Sequence, residues 1–174
     1  MKKVLIAVDE TAGSKSILSA FHNMVKEPES VVLLHVEKPG GKSLMYDMLG
    51  DAEMSTLKEA MEDSAYKEAL DKKTEKLLSR YREEIANRGP MDIKTVVRWG
   101  HPVEEILKVA EEEGVELIMM GCNGKSKLHK LVSGCVTRDV ERSAKVPVLV
   151  AKSGACTKAP KTAPGLQEAA YDVR

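Results

Sequence analysis

VLIAVDETAGSKSILSAFHNMVKEPESVVLLHV, residues 4–36, holds the pattern from which the fold can be predicted. Two short apolar runs rich in β-branched residues, Val4–Val8 and Val31–Val36, are typical of strands buried on both faces. Between them apolar residues recur at helical spacing, at Ile17, Leu18, Phe21, Met24 and Val25, and Ser14 is a suitable N-cap. A strand, a helix and a strand within about thirty residues indicate a βαβ unit with parallel strands and a right-handed crossover.

The same alternation continues along the chain. Three further strands are predicted at Ile93–Val97, Val115–Met120 and Val146–Ala151. The helices between the strands are predicted from Leu57 to Ile85, ending before Gly89-Pro90, from Pro102 to Gly114, and from about Gly134 to Ser143. Five short apolar strands alternating with helices indicate a three-layer α/β fold with an open parallel sheet.

Two segments do not fit the alternation. Residues 37–56 form a glycine-containing connection, and loops of this length in compact domains usually serve a site or stay mobile. From residue 152 the composition changes to mainly Ala, Pro, Lys and Thr. We therefore expect one domain at 1–151 and a disordered tail at 152–174.

Composition and charge exclude several classes of protein. The chain has 174 residues, with 27 basic and 27 acidic side chains and 3% aromatics, which argues against nucleic-acid and anionic-membrane binding. The three cysteines lack CxxC spacing, so neither a disulfide framework nor a structural zinc site is expected. The N-terminal apolar run is too short for a signal peptide, and no run approaches the length of a membrane span. We expect a cytoplasmic protein.

Ligands of open α/β sheets bind beyond the carboxyl ends of the strands, where the strand order reverses. The residues that follow the predicted strands are Asp9, Val36, Trp99-Gly100 and the stretch from Gly121 onward. Glycines at 121 and 124 would let backbone N–H groups approach a phosphate, and Gly134 would open a helix whose first N–H groups bind anions. Strand-to-helix turns often contain two glycines as well, so on spacing alone a plain turn remains the stronger alternative.

The pattern Gly-x2-Gly-x9-Gly-[Ser/Thr] after a strand resembles the ATP-binding loop of universal stress proteins. Gly121, Gly124 and Gly134 stand in that register, and three further segments are also similar to the family: VLIAVDET at 4–11, WGHPVEEIL at 99–107 and VPVLVAK at 146–152. The resemblance covers roughly residues 1–152. It implies a Rossmann-like, adenine nucleotide alpha hydrolase-like sheet of strand order 3-2-1-4-5, with the reversal between strands one and four.

The resemblance also implies a ligand, ATP or a related adenine nucleotide, with or without Mg²⁺. Asp9 would accept hydrogen bonds from adenosine, and Lys125 would add charge beside the glycines. The predicted cofactor-binding residues are Ala7, Val8, Asp9, Val36, Met120, Gly121, Gly124, Lys125, Gly134, Cys135, Val136 and Thr137. Cys135 departs from the pattern, which has Ser or Thr there, and a lost hydroxyl bond weakens binding by about 0.5–1.5 kcal/mol.

These features predict a stress-response regulatory module rather than an enzyme. No Ser-His-Asp set, paired carboxylates or activated nucleophile can be picked out, and the four histidines lack metal-ligand spacing. A slow ATPase and a non-nucleotide interaction protein of the same fold remain alternatives. Cys122 and Cys135 flank the predicted loop and raise the question of a redox switch, although such cysteines are commonly inert. The resemblance further implies a homodimer through the fifth strand, Val146–Val150, and an unidentified regulatory protein partner.

Overall fold

The structure is a computed structural model that describes residues 2–26, 28–37, 50, 52–53, 55–56, 59, 65–87, 89–122 and 136–152. Its strands are β1 (Lys3–Ala7), β2 (Ser30–Glu37), β3 (Asp92–Trp99), β4 (Leu117–Cys122) and β5 (Val148–Lys152). Its helices are α1 (Ala12–Met24), α2 (Ala65–Ala86), α3 (Pro102–Glu112) and α4 (Val136–Ser143). Strands and helices alternate, as the sequence predicts.

The strands form one parallel sheet with the order β3-β2-β1-β4-β5, which confirms the predicted strand order. From β1 the chain proceeds outward through β2 to β3, and it then returns to the other side of β1 to form β4 and β5. The order therefore reverses between β1 and β4. In the middle of the sheet Ala7 pairs with Leu34 on one side and with Met120 on the other.

Helices cover both faces of the sheet, which explains why the central strands are apolar throughout. Val4 and Ile6 face a core that includes Phe21 of α1 and Tyr81 of α2. Leu5, from the other side of the same strand, faces a second core built with α3 and α4. α1 and α2 on one face, the sheet, and α3 and α4 on the other face form the three layers predicted from the alternation.

The predicted helix signals are confirmed at three positions. Pro102 is the first residue of α3, where a missing N–H costs nothing. Gly114 follows that helix with a φ of 60°, and Gly89 follows α2 with a φ of 143°. Both values are readily adopted by glycine, so these residues can turn the chain toward β4 and β3.

Other predicted boundaries were wrong. Ser14 is not an N-cap: α1 begins at Ala12 with Thr11 at the cap position, and Ser14 is buried in the first turn. β4 begins at Leu117 rather than Val115, because the Val115 N–H still bonds to the Ala110 carbonyl at the end of α3. It extends through Gly121, which is therefore a strand residue paired with Ala151 rather than a loop glycine.

The fifth strand was also predicted two residues too early. It begins at Val148 because Pro147 has no N–H to donate to a sheet; the Pro147 carbonyl does accept from the N–H of Ile118, at 3.0 Å. Lys152, predicted to start the tail, is the last residue of β5. Residues 153–174 and most of the predicted connection 37–56 lie outside the described residues, although 52–53 and 55–56 are helical.

Candidate functional site

The carboxyl ends of β1, β2 and β4 lie side by side at the point where the strand order reverses. This arrangement brings together the predicted residues Ala7, Val36 and Met120 on adjacent strands, with Val8 and Asp9 directly after β1. Val136 and Thr137 open α4. The predicted residues Gly124, Lys125, Gly134 and Cys135 lie outside the described residues.

The chain leaving β1 is fixed by two contacts to β2. The Val8 N–H donates to the Leu34 carbonyl at 2.9 Å, which prolongs the ladder by one residue. His35 Nδ1 lies 2.8 Å from the Val8 carbonyl oxygen. Since a carbonyl only accepts, this contact needs the proton on Nδ1. The sequence assigns no role to His35 beyond the absence of metal-ligand spacing, and the structure gives it a specific partner beside Asp9.

Asp9 accepts several hydrogen bonds within its own segment. Its Oδ1 accepts from the Thr11 N–H at 2.9 Å, from the Thr11 hydroxyl at 2.5 Å and from the Ser14 hydroxyl at 2.5 Å. The Asp9 N–H in turn donates to Ser14 Oγ at 2.9 Å. The carboxylate thus satisfies donors in the first turn of α1, where negative charge is also favoured by the helix dipole.

Tyr81 extends this group of contacts to α2. Its ring belongs to the core between α1 and α2, and its hydroxyl lies near the Ser14 side chain. Burial raises the pKa of Tyr81 above its usual 10.0, and the nearby Asp9 carboxylate raises it further. The phenol is therefore protonated at neutral pH. The sequence predicted Ser14 as an N-cap, but no sequence pattern placed Tyr81 near Ser14.

The start of α4 is attached to the end of β4. Thr137 is buried, and its hydroxyl donates to the Gly121 carbonyl at 3.4 Å. Val136, the first residue of the helix, packs on the core shared with α3. Two residues of the predicted phosphate and ribose side, Gly121 and Thr137, are therefore in contact. Because helix N-termini favour anions, this position is compatible with a phosphate beyond it.

A second polar cluster lies at the ends of β2 and β3. Glu37 is buried, and its carboxylate accepts from the Thr74 hydroxyl at 2.6 Å, from the Trp99 indole N–H and from Lys67 Nζ at 3.4 Å. Lys67 Nζ also lies 5.4 Å from the centre of the Trp99 ring, within cation–π range. Sequence reasoning named Trp99 as a strand-end residue but missed Glu37, whose buried carboxylate has its partners on other elements.

This cluster borders an open cavity of about 770 Å³ between α2, α3 and the end of β3. The cavity is lined by Glu37, Ser55, Lys67, Asp71, Thr74, Glu75, Val97, Arg98, Trp99, Gly100, Glu105 and Lys108. Its charges have mixed sign, and two of its cations form ion pairs: Lys67 with Asp71 one turn along α2, and Arg98 with Glu112, which is not part of the lining. The cavity lies beside the strand-order reversal rather than at it, since the strand ends that border it are those of β2 and β3.

No group of three or more His, Cys, Asp or Glu side chains in the described part of the chain is placed to hold a metal ion. Among the same residues, no helix combines the length and apolar character needed to cross a membrane. The site at the strand-order reversal is therefore built from a carboxylate, hydroxyls, main-chain groups and apolar side chains. Such a set can bind a neutral or hydroxyl-rich ligand face by hydrogen bonding.

Comparisons with known proteins agree with this architecture. The model of the Universal stress protein family matches residues 1–152. The chain is 32% identical over 157 residues to universal stress protein MJ0577 of Methanocaldococcus jannaschii, covering 87% of this chain and 94% of that relative. A solved structure of MJ0577 superposes with a TM-score of 0.65 at 29% identity, covering 87% of this chain and 96% of the other.

A universal stress protein crystallised in complex with cAMP shares the fold, with a TM-score of 0.56 at 18% identity, covering 86% of this chain and 94% of the other. The matched segment includes every strand of the sheet and all the predicted site residues. The family match and the identity to MJ0577 over most of both chains lead to one conclusion: this chain belongs to the universal stress protein family.

Proposed function

We propose that this universal stress protein binds ATP or a related adenine nucleotide at the strand-order reversal and acts as a cytoplasmic regulatory module in stress response. One observation carries the proposal: the end of β1 with Asp9, the end of β2 with Val36 and the end of β4 with Gly121 lie side by side at this point. Open parallel sheets bind nucleotides at such positions. The cAMP complex of a family member supports the ligand class.

The adenosine would lie against Ala7, Val8 and Val36, with Asp9 as its hydrogen-bond acceptor. The phosphates would lie toward Gly121 and the start of α4, where Thr137 holds the helix against β4. Gly124, Lys125 and Gly134 belong to this side by sequence pattern. Mg²⁺, where present, would accompany the phosphates. Cys135 would weaken the phosphate side through its missing hydroxyl, so we expect measurable rather than tight binding.

The proposal includes a homodimer through β5 and a regulatory protein partner that senses the nucleotide state. The position of β5 supports the homodimer. Among the described strands it pairs only with β4, so the backbone groups of its outer edge can pair with a second copy. The partner protein is proposed only because a regulatory module needs a protein to act on.

The direct test is a search for bound nucleotide. Protein purified without added ligand is denatured, and the released small molecules are separated and identified; we expect an adenine nucleotide. Calorimetric titration with ATP, AMP and cAMP, each with and without Mg²⁺, then gives the affinities. GTP is the control ligand, because it shares the phosphates and ribose and differs only in the base.

The Asp9→Ala variant tests whether the nucleotide binds beside Asp9. It should lose affinity for every adenosine-containing ligand by about two- to tenfold, the value of one hydrogen bond, while affinity for inorganic tripolyphosphate stays unchanged. Wild-type protein that releases no nucleotide and gives no heat with any adenine ligand would contradict the proposal. That result would indicate the alternative, an interaction protein of the same fold without a nucleotide.

A further inference from the structure

The peptide group between Val8 and Asp9 is bonded at both of its ends by side chains. At its carbonyl end, His35 Nδ1 lies 2.8 Å from the Val8 oxygen. At its nitrogen end, the Asp9 N–H donates to Ser14 Oγ at 2.9 Å. The two side chains come from different elements, His35 from β2 and Ser14 from α1. The following inference rests on the proposed function and extends it to these two residues.

The direction of both bonds follows from the groups involved. A carbonyl oxygen only accepts, so the contact of His35 requires a proton on Nδ1, which the neutral Nδ1–H tautomer and the charged ring both carry. A main-chain N–H only donates, so Ser14 Oγ is the acceptor. The peptide plane is thus held by a donor at its oxygen and by an acceptor at its nitrogen. Rotation of this plane would break both bonds.

Ser14 also connects the peptide plane to the Asp9 side chain. Its hydroxyl hydrogen is donated to Asp9 Oδ1 at 2.5 Å, while its oxygen accepts from the Asp9 N–H. Ser14 is only 3% exposed, so water has little access to replace either bond. The Thr11 N–H donates to the same carboxylate oxygen at 2.9 Å. The main chain and the side chain of Asp9 are therefore oriented by one buried hydroxyl.

These contacts lie where the sheet no longer holds the chain. β1 ends at Ala7, and the Val8 N–H prolongs the ladder to β2 by one bond. Asp9 takes no part in the described pairings of β1, and α1 begins only at Ala12. His35 and the Ser14 hydroxyl thus hold the segment between the last strand residue and the helix.

We propose that His35 and Ser14 are positioning residues for nucleotide recognition: they hold the peptide group before Asp9 and so present its carboxylate to adenosine. An acceptor that is already oriented binds without the entropic cost of ordering it. Loss of either side chain therefore weakens the binding of adenosine. It leaves the binding of phosphate unchanged, because the proposed phosphate contacts begin at Gly121 on another strand.

The test replaces His35 with side chains that keep or remove a donor at the position of Nδ1, and calorimetric titration with AMP and with inorganic tripolyphosphate measures binding. His35→Leu removes the donor and should weaken AMP binding by about two- to tenfold, with tripolyphosphate binding unchanged. His35→Asn places an amide nitrogen where Nδ1 lies and should restore AMP binding. His35→Gln places its amide nearer the position of Nε2 and should not restore it.

A double-mutant cycle with Asp9 tests the route of the effect. Ser14→Ala should weaken AMP binding as His35→Leu does. In the Asp9→Ala background neither change should weaken AMP binding further, because the group that both residues position is gone. His22→Leu is the matched control and should bind AMP as wild type does, since His22 is exposed in the last turn of α1, at the other end of that helix from Ser14. Thermal unfolding of every variant separates a loss of folded protein from a loss of affinity.

The possible results separate this inference from the proposed function. Wild type that binds AMP while His35→Leu binds it equally well overturns the positioning role and leaves the proposed function standing. A His35→Leu variant that loses AMP and tripolyphosphate alike, or loses AMP equally in the Asp9→Ala background, also overturns it. A folded His35→Asn variant that binds AMP as poorly as His35→Leu does the same. Wild type that binds no adenine nucleotide overturns both.

Discussion

Asp9 and Glu37 are two carboxylates at neighbouring strand ends, and different kinds of contact hold them. Asp9 is bonded mainly within its own segment, to Thr11 and Ser14. Glu37 is fully buried and bonded to α2 and β3, through Thr74 and Trp99. Removal of Glu37 would leave these two donors without an acceptor, so Glu37 is suited to holding the fold.

Glu37→Ala should lower the free energy of unfolding by about 3 kcal/mol, because it leaves the Thr74 hydroxyl and the Trp99 indole N–H without their acceptor. Urea unfolding followed by circular dichroism measures this loss. Glu111→Ala is the control, since Glu111 forms an exposed ion pair with Lys145 and its loss should change little. A Glu37→Ala variant as stable as Glu111→Ala would show that the buried contacts contribute nothing net.

Cys135→Ser should strengthen ATP binding by about two- to tenfold, the value of one recovered hydroxyl bond. This expectation comes from the sequence pattern, in which the family has Ser or Thr at this position; the structure does not describe Cys135. Calorimetric titration of wild type and variant with ATP gives the answer. An unchanged or reduced affinity would mean that the thiol has a role of its own.

At the scale of elements, α2 has contacts with both strand ends near the site. Its residues Lys67 and Thr74 reach Glu37 at the end of β2. Lys73 forms an ion pair of 2.6 Å with Glu10, directly after Asp9, and Tyr81 lies near Ser14. α2 therefore contacts the end of β2 and the segment that follows β1.

The Tyr81 contact predicts a pH dependence of stability. The pKa of Tyr81 is raised in the folded protein by burial and by Asp9, so the folded state holds the phenolic proton after the unfolded chain has lost it. Its contribution to stability is complete below the unfolded pKa of about 10 and is lost as the pH rises toward the folded pKa.

Urea unfolding from about pH 8 to about pH 11 should therefore give a steeper fall in unfolding free energy for wild type than for Tyr81→Phe, by at most about 1.4 kcal/mol per pH unit. Tyr81→Phe is the control for the titration of other groups, since the lysines titrate equally in both proteins. Parallel pH profiles would show that the Tyr81 pKa is not raised on folding.

The sequence predicted the elements better than their contacts. Buried parallel strands require continuous apolar runs, and glycine and proline mark the ends of helices, so the five strands, α3 and the end of α2 could be placed from local pattern. The strand order came from the family resemblance. The bonds from Thr74 and Trp99 to Glu37 could not be predicted, because they join residues distant in sequence whose meeting depends on how α2, β2 and β3 pack.

At the scale of the whole molecule, the two edges of the sheet differ in character. β3 forms one edge and carries the exposed residues Asp92, Lys94 and Thr95, and exposed charges discourage edge-to-edge pairing. β5 forms the other edge with Val148, Leu149 and Val150 half-buried in the single chain. An apolar edge is the better candidate for contact with a second copy.

We therefore expect a homodimer that forms through β5, and Val148→Lys or Val150→Lys should shift it toward monomer by placing like charges across the two-fold axis. Sedimentation at micromolar concentration measures the distribution. Val97→Lys is the matched control: it adds the same charge at an exposed valine of the opposite edge and should leave the dimer intact. A monomeric wild type would refute the dimer, and a dimer that tolerates both β5 lysines would place the interface elsewhere.

Trp99 is the one tryptophan of the chain, and its position makes it an optical reporter. The indole N–H is bonded to a buried carboxylate and the ring lies near an ammonium group, so its emission wavelength and its quenching depend on the distances to Glu37 and Lys67. Light absorbed at the red edge of the spectrum excites this indole alone. Glu37 follows Val36 directly, and the protein therefore carries its own label next to the proposed adenosine site, where ligand binding can be followed without a dye.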